Sequence, residues 1–264
     1  MCHKRKRYTS DLNDKQWEII YGLLPINRQG RGRPIEINLR EAVNAMLYVA
    51  KTGCQWENLP SEFPNYQSVF YHYRQWCLKG IWEQINRALY YAARQKEGRF
   101  AHPSAAIMDS QSVKTSQIGG QKGYDAGKKV KGRKRHILVD TLGHLLAVVV
   151  HTADIQDRDG AKLLLIKLIP MLGLRLLKIW ADGGYKGQLI EWCWLQWQIV
   201  LEIVSPPPTQ KAFAVLPKRW IVERTFAWFG HYRRLSKDYE KLTSSSEGMI
   251  YLASIHTILN RLVS

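Results

Sequence analysis

The fold is decided by the stretch Ala105-Ala106-Ile107-Met108-Asp109-Ser110-Gln111-Ser112-Val113, an apolar run with one carboxylate near its middle. A short apolar run of this kind predicts a buried β-strand, because helices need more residues to cover a core. Asp109 is costly there, since aspartate has poor strand propensity and burial penalises its charge. The carboxylate is therefore a candidate functional group, with a turn-capping aspartate as the structural alternative.

Four more strands and four helices follow. A tight hairpin, Leu142-Gly143-His144, joins the second strand to the third, and helices and strands alternate from there. The order β-β-β-α-β-α-β-α, followed by a last helix, predicts an α/β fold, a five-stranded mixed sheet with helices on both faces. The predicted strands are 105–113, 136–141, 145–151, 176–181 and 199–205, and the predicted helices are 159–172, 189–197, about 217–235 and 247–263. Three aspartates before the first of these helices, Asp154, Asp157 and Asp159, are predicted to cap it.

Residues 1–100 differ in character from residues 101–264, and we predict a domain boundary between them. Apolar residues at helical spacing predict a helix that starts after Asp11, a second that ends at Gly53, and a third over 66–79. This all-α region resembles a helix-turn-helix domain, whose last helix carries Arg74 toward DNA. A plain helical bundle with a solvated polar face is the alternative.

The charge indicates a polyanionic partner. The 264 residues include 39 Lys and Arg against 22 Asp and Glu, a formal net charge of +17 at pH 7. An apolar fraction of 45% excludes a disordered basic tail protein, so the surplus belongs to a folded chain and indicates nucleic acid. The four cysteines form no Cys-x-x-Cys pair, and no apolar stretch is long enough to span a membrane. We therefore expect a cytoplasmic protein without a zinc site.

Two further carboxylates stand in comparable positions. Asp182 ends an apolar strand before Gly183-Gly184, which let a ligand approach, and Glu223 lies in an apolar-rich helix. In a sheet of order 3-2-1-4-5, Asp109 and Asp182 meet at the topological switch point, where open α/β sheets bind ligands. With Glu223 they form an all-oxygen cage for Mg²⁺ or Mn²⁺, and two such ions can cleave a phosphodiester. The alternative is two capping aspartates and a helix pair between Glu223 and Arg219.

Three motifs surround these carboxylates: Met108-Asp109-Ser110-Gln111-Ser112-Val113-Lys114, Ala181-Asp182-Gly183-Gly184-Tyr185 and Arg219-Trp220-Ile221-Val222-Glu223-Arg224-Thr225-Phe226. They resemble the DDE transposases of bacterial insertion sequences, specifically the insertion-sequence-five family, and residues 8–76 look like that family's helical domain. The resemblance implies a ribonuclease-H-like fold, two divalent metal ions and cut-and-paste movement of DNA. It also implies that Asp109, Asp182 and Glu223 are the catalytic, metal-binding residues.

The sequence departs from the wider transposase signature Tyr-x2-Arg-x3-Glu-x6-Lys. Arg219 and Glu223 keep the spacing, but Leu216 and Gly230 stand at the tyrosine and lysine positions, so no role is carried over to them. Arg219 has two interpretations, a DNA-phosphate contact beside the metals or an ordinary salt bridge at i and i+4. The basic residues that follow, Arg233 and Arg234, are further candidates for phosphate contacts.

A basic stretch at 122–135 lies between the first two predicted strands, with seven basic residues and one acidic. Its glycines predict a flexible loop that enters the sheet beside Asp109 and guides the DNA backbone to the carboxylates. A solvated run of charge is the alternative. The residues predicted to contact DNA are Lys128, Lys129, Lys131, Arg133, Lys134 and Arg135.

These observations predict a transposase that binds the ends of its own insertion sequence and catalyses strand cleavage and strand transfer. Because two element ends must be joined in one complex, we expect a homodimer on double-stranded DNA, with no organic cofactor. The alternative is a catalytically silent transposase remnant that binds DNA as a repressor or end-binding factor.

Overall fold

The computed structural model describes residues 5–25, 37–117, 120–172, 175–205 and 218–264, without the side chains of 169–172. Four features of the sequence lie outside the described residues: the basic segment at 28–33, the three prolines at 206–208, Leu216 of the motif comparison, and Pro217, where the third predicted helix of the sheet region starts. No helix in the described ranges is both long and apolar enough to cross a membrane.

The described residues form eight helices and six strands. The helices are α1 (Asp14–Tyr21), α2 (Leu39–Thr52), α3 (Tyr66–Leu78), α4 (Ile81–Lys96), α5 (Asp157–Leu172), α6 (Gln188–Trp197), α7 (Arg219–Gly230) and α8 (Thr243–Val263). The strands are β1 (Ala105–Lys114), β2 (Gly123–Asp125), β3 (Val130–Asp140), β4 (Leu145–Thr152), β5 (Lys178–Ala181) and β6 (Val200–Ile203).

The sheet has the predicted strand order. Its main path runs β4-β3-β1-β5-β6, with β3 antiparallel to β1 and β4, and with β1, β5 and β6 parallel to one another. This is the order 3-2-1-4-5 of the sequence analysis, and the mixed α/β, ribonuclease-H-like fold class is confirmed. The sequence analysis predicted five strands and the described residues contain six, because the three residues of β2 pair with the first three residues of β3. A strand of three residues is too short for an alternating pattern to reveal.

Both faces of the sheet are covered, as adjacent residues of β3 illustrate. His136 points at α5, where a side chain on Gly160 would collide with its imidazole. Arg135 points the other way and donates to the carbonyl of Leu235, beyond α7. Side chains of neighbouring strand residues leave opposite faces, so α5 and the segment after α7 lie on opposite sides of the sheet.

Strand β3 begins at Val130 rather than at residue 136, and this corrects the predicted loop. Arg133, Lys134 and Arg135 are 0%, 4% and 4% exposed, so they lie within the protein. Arg133 donates to the carbonyls of Gln121, Glu240 and Lys241 and to Ser246 Oγ, while Arg135 donates to the carbonyls of Leu235 and Lys237. The prediction that these three residues contact DNA from a flexible loop is therefore wrong.

The described N-terminal ranges, 5–25 and 37–100, form helices α1 to α4, as predicted, and these pack around the last helix of the chain. Helix α8 contacts α1, α2, α3 and α4 as well as β4, and buried residues of all these elements belong to one hydrophobic cluster. Helix α8 also covers the free edge of β4, where Val150 N donates to Glu247 Oε1 at 3.0 Å. An uncovered edge strand would expose unpaired backbone groups, so α8 completes the sheet. The division into two domains at residue 100 stays a prediction.

Helix α1 begins two residues later than predicted from Asp11. Asn13 is its N-cap: the Asn13 side chain accepts from Gln16 N, and the Gln16 side chain accepts from Asn13 N. Asp11 instead accepts from the backbone N–H of Tyr8 and pairs with Arg5. Helices α2 and α3 follow the predicted bounds closely, and Arg74 is exposed on α3.

Candidate active site

Two parallel strands place Asp109 and Asp182 side by side. The last recorded pair between β1 and β5 is Ile107 with Trp180, and each aspartate lies two residues beyond it. Burial raises the pKa of Asp109 to about 6, and the negative charge of Asp182 adds to the increase. The N–H of Ser110 and the charges of Arg219 and Lys128 oppose it. The sheet thus holds one partly desolvated carboxylate next to a second.

Asp182 is fixed by the turn that follows it. Its Oδ1 accepts from Gly184 N at 2.9 Å, so it caps the short 3-10 turn Gly183–Tyr185. A Cβ atom added to Gly184 would lie 3.1 Å from Asp182 Oδ1 and 3.2 Å from Asp157 Oδ2. Glycine at this position therefore lets the backbone approach both carboxylates closely. Asp182 therefore has the capping role that the sequence analysis gave as the alternative, and this role orients the Asp182 side chain within the site.

Arg219 connects the third carboxylate to the second. Its guanidinium lies 3.3 Å from Glu223 Oε1, four residues along α7, and 4.0 Å from Asp182 Oδ2. The Glu223 side chain is 53% exposed, against 33% for Asp182. The salt bridge that the sequence allowed is present, and it reaches a second carboxylate on the sheet.

The three predicted carboxylates are therefore neighbours, but a cation stands between two of them. Asp109 and Asp182 are aligned by the sheet, and Glu223 reaches Asp182 through Arg219. Within the described ranges, no three His, Cys, Asp or Glu side chains converge closely enough to hold a metal ion as they stand. Oxygen donors are present, and the Glu223 carboxylate is paired with Arg219.

Asp157 belongs to this site, and the sequence analysis missed it. Its Oδ1 accepts from Ser110 Oγ at 2.9 Å and from Lys134 Nζ at 3.0 Å, so it supports the residue next to Asp109. Burial raises the pKa of Asp157, but the hydrogen bond and charge of Lys134 outweigh this and leave it below its ordinary value. The only local signal was an aspartate at a helix start, which also fits an ordinary cap.

Lys134 and Lys128 surround the end of β1 with positive charge. Lys134 Nζ contacts Asp125 at 3.5 Å and donates to the Ile155 carbonyl, while Lys128 Nζ donates to the Ser110 carbonyl at 3.1 Å. A cavity of about 450 Å³ opens beside these groups. Its lining is polar and consists of Asp125, Lys134, Gln156, Asp157, Arg158, Gly183, Gly184 and Lys186. Lys134 thus acts inside the protein, where the sequence analysis expected a DNA contact.

The other predicted DNA contacts divide by exposure. Arg234 is 8% exposed and donates to Glu240 at 2.9 Å and to the Cys54 carbonyl, so the prediction that it contacts phosphate is wrong. Its partner in the sequence, Arg233, is exposed. The remaining exposed candidates are Arg74, Lys128, Lys129 and Lys131, and Arg219 is partly buried in its ion pairs.

Comparison with known families supplies the identity. The family model described as the transposase DDE domain matches residues 101–258, which contain all three carboxylates. The chain belongs to this family. A second model, described as a putative transposase of the IS4/5 family, matches residues 12–86 of the helical region. The DDE transposase resemblance stated from the motifs is thus confirmed, and the DDE domain spans the whole sheet.

The curated relatives align with only part of this member of the DDE transposase family. It is 30% identical over 116 residues to a putative transposase for insertion sequence element IS402 of Burkholderia cepacia, which is 42% of this chain and 54% of the relative. It is 32% identical over 74 residues to the uncharacterized protein y4sN of Sinorhizobium fredii, 28% of this chain and 58% of the relative. The chain therefore spans little more than half the length of these relatives.

Two of the solved structures that resemble this chain do so with low identity and low TM-scores. The catalytic core domain of BIV integrase has 14% identity and a TM-score of 0.35, covering 56% of this chain and 81% of that chain. The Mos1 mariner paired end complex with Mn has 12% identity and a TM-score of 0.31, covering 94% and 84%. At such low scores the fold assignment rests on the strand order and the family match.

Proposed function

We propose that this protein is a transposase that binds the ends of its own insertion sequence, cleaves the DNA there and transfers the strands to a target. The observation that carries the proposal is the alignment of Asp109 with Asp182, with Glu223 one ion pair away through Arg219. Membership of the transposase DDE domain family supports it.

The donor set fits hard divalent cations. Mg²⁺ and Mn²⁺ prefer carboxylate oxygens, and the side chains of Asp109 and Asp182 offer them at adjacent strand ends. A buried anion beside a second anion, as the raised pKa of Asp109 indicates, is stabilised by a cation. Two Mg²⁺ ions, or Mn²⁺ in their place, supply Lewis acidity for the attacking and the leaving oxygen. Asp109, Asp182 and Glu223 would hold these ions.

Arg219 has a role in this proposal that depends on its two ion pairs. Glu223 can join Asp109 and Asp182 only after its contact with Arg219 opens, and its half-exposed position makes that contact weak. The released guanidinium then lies next to Asp182, where it can bind a phosphate of the cleaved strand through two parallel hydrogen bonds. Arg219 thus keeps the carboxylates apart before DNA binds and neutralises phosphate charge afterwards.

The chemistry takes place in two steps at phosphorus. Water attacks the phosphodiester at the element end, the P–O3′ bond breaks, and the departing oxygen takes a proton to become a 3′-hydroxyl. That hydroxyl then attacks a phosphodiester of target DNA, and a target 3′-oxygen leaves. Asp109, Asp182 and Glu223 hold the reacting centre, and no covalent bond to the protein forms.

DNA reaches this site along exposed positive charge. We assign backbone contacts to the exposed basic residues near β3 and beyond α7, and a groove contact to α3. Two element ends must meet before strand transfer, so the working unit is a homodimer on double-stranded DNA, acting in the bacterial cytoplasm at the nucleoid. The residues concerned are Lys128, Lys129, Lys131, Arg233 and Arg74.

A catalytically silent DNA-binding remnant, acting as a repressor or end-binding factor, is the second candidate. It is favoured by one observation, the position of Arg219 between Asp182 and Glu223. The intact set of three carboxylates favours the enzyme, since loss of any one is the simplest route to inactivity.

Strand cleavage separates the two candidates. The substrate is a labelled duplex carrying the inverted repeat that flanks the coding region, incubated with Mg²⁺, with Mn²⁺ and with EDTA. We expect the wild type to nick it only with a metal ion, and we expect Asp109→Asn to bind but not cut. Lys15→Gln, an exposed change on α1, is the matched control and should cut normally. Equal and complete lack of cutting by wild type and Asp109→Asn, with binding intact, would identify the silent remnant.

A further inference from the structure

Helix α7 carries two rows of side chains. One row, the catalytic row, holds Arg219 and Glu223, and the second row begins one residue later. Trp220, Arg224 and Trp228 follow one another at four-residue spacing, about 100° around the helix from the catalytic row. The Arg224 guanidinium lies 4.5 Å from the ring centroids of both Trp220 and Trp228. Arg261 of α8 lies 4.0 Å from the ring centroid of Trp228. Two arginines therefore stack on one tryptophan at the contact between α7 and α8.

Open space adjoins these rings on two sides. One cavity of about 370 Å³ is lined by Trp220, Arg224, Trp228 and Arg261, together with Ala93, Lys96, Glu97, Thr141, Leu142, His144 and Leu262. A second, of about 260 Å³, shares Trp228 and Arg261 and adds Lys51, His231, Tyr232, Thr257 and Asn260. We call the two cavities together the α7–α8 groove.

The charges of the groove do not balance. Its first cavity contains three cationic residues and one carboxylate, Glu97, and its second contains cations and no carboxylate. Burial and the charge of Arg224 lower the pKa of Arg261, more than Asp140 and Glu97 raise it. Arg224 Nε is buried without a hydrogen-bond acceptor, although its Nη2 donates to the Leu142 carbonyl. Two guanidiniums are thus held close together with donor capacity left over.

We infer that the α7–α8 groove binds the phosphodiester backbone of DNA, with one phosphate between Arg224 and Arg261. Guanidiniums pair with phosphate oxygens through parallel N–H···O bonds, and stacking on tryptophan holds their planes in place for this. Trp220 is 40% exposed, so its ring can also cover the sugar or base next to that phosphate. The inference deepens the proposed function, because it rests on DNA being the substrate of the adjacent site.

The position of the groove relates it to the catalytic row. Arg219 pairs with Asp182 and with Glu223. Arg224 instead donates a hydrogen bond to the carbonyl of Leu142, in the hairpin between β3 and β4. A duplex cut at Asp109 and Asp182 therefore continues past α7 toward the groove. The hairpin follows one end of β3, and the exposed Lys128, Lys129 and Lys131 lie at its other end, so the groove adds a backbone contact far from those lysines.

The test is the salt dependence of DNA binding, measured without metal so that cleavage plays no part. The probe is a short fluorescein-labelled duplex of arbitrary sequence, titrated by anisotropy over a range of KCl concentrations. Removing one phosphate contact lowers the slope of log K against log[salt] by about one. We expect this decrease for Arg224→Gln/Arg261→Gln, with affinity reduced about tenfold at a fixed salt concentration because a charged hydrogen-bonded contact is lost.

The control carries the same change of charge elsewhere. Lys15→Gln/Arg99→Gln removes two exposed cations that do not line the groove, and its slope should equal that of the wild type. The single variant Arg261→Lys keeps the charge and should retain most of the slope, which guards against misfolding of the double variant. A double variant that folds, as its melting curve shows, and binds DNA with unchanged slope and affinity overturns the inference. Absence of DNA binding by the wild type would instead overturn the proposed function.

Discussion

Arg219 forms ion pairs with Asp182 and with Glu223, and so couples a strand end to the helix that packs across it. The contact with Glu223 is short, at 3.3 Å, but the carboxylate is 53% exposed. Exposed pairs contribute little to stability, so the value of this arrangement lies in where it holds the charges. In this arrangement Glu223 is paired with Arg219, and the proposed mechanism requires that contact to open.

Replacing Arg219 is therefore expected to affect activity and stability very differently. Arg219→Gln should change the free energy of unfolding by less than about 1 kcal/mol, since its partners are partly exposed. Metal-dependent cleavage should fall at least a hundredfold, because a phosphate ligand is lost at the reacting centre. Urea unfolding and a cleavage assay measure the two quantities. Arg219→Lys keeps the charge and should recover part of the cleavage; a large loss of stability would instead indicate a structural residue.

The close approach at Gly184 predicts a sharp local effect. In Gly184→Ala the new methyl group would start 3.1 Å from Asp182 Oδ1 and 3.2 Å from Asp157 Oδ2, so both carboxylates must move. Small displacements of reacting groups are costly, and we expect cleavage to fall about tenfold or more while DNA affinity stays unchanged. Gly230→Ala is the matched control, because nothing lies within 4 Å of its new methyl group. Equal cleavage by the two variants would contradict the geometry assigned to Asp182.

Lys134 is expected to be a stability residue with an indirect effect on the site. It is 4% exposed and pairs with Asp157 and Asp125, so Lys134→Met leaves two carboxylates without their cation. Breaking a buried pair in this way costs about 3 kcal/mol. The exposed neighbour on the same strand supplies the control, since Lys131→Met should change stability by less than about 0.5 kcal/mol. Urea midpoints at fixed slope compare the two, and similar midpoints would argue against the network.

A buried histidine predicts loss of stability in mild acid. Burial and the charge of Lys51 lower the pKa of His256 to about 4, and its Nδ1 contacts Tyr232 Oη at 3.1 Å. Above its ordinary value of about 6.5 the imidazole is neutral in both states. As the pH falls from there toward 4, the unfolded chain takes up a proton that the folded chain does not, so the free energy of unfolding decreases.

His256→Gln removes this contribution. The difference in unfolding free energy between pH 7.5 and pH 5 should be smaller in the variant than in the wild type, by an amount on the order of 1–2 kcal/mol. Thermal or urea unfolding at the two pH values measures it. The other buried histidines are present in both proteins and cancel in the comparison. An identical pH dependence would mean that His256 is charged or solvated in the folded state.

The strands, the hairpin and the helices depend mainly on local sequence patterns, and most of them could be predicted from the sequence. The apolar runs of β1, β3, β4 and β5 and the hairpin at 142–144 follow from composition and alternation. The sheet order that aligns Asp109 with Asp182 was considered as one order of an open α/β sheet, and the structure has that order. The carboxylates could be selected because an acid in an apolar strand is costly. The helical region was predictable for the same reason, from apolar spacing.

The predictions that failed concern residues whose hydrogen-bond and ion-pair partners lie far away in the sequence. Arg133 and Arg135 lie in a run of charge and glycine that is typical of a surface loop, and most of the acceptors that make their burial favourable lie about a hundred residues later. Asp157 resembled a helix cap because its partners, Ser110 and Lys134, come from two other strands. No pattern within a window of sequence contains such pairings.

The buried arginines of β3 also constrain the order in which this chain can fold during synthesis. Arg133 and Arg135 leave the ribosome long before residues 235–241, whose carbonyls they need, have been made. Until then, inserting β3 into the sheet would desolvate two unpaired cations, which is strongly unfavourable. Strand β3 must therefore wait for the segment before α8 to be made. A nascent chain consequently cannot complete the pairing of β3 with β1, and so cannot fix Asp109 within the sheet, before residue 241 has emerged.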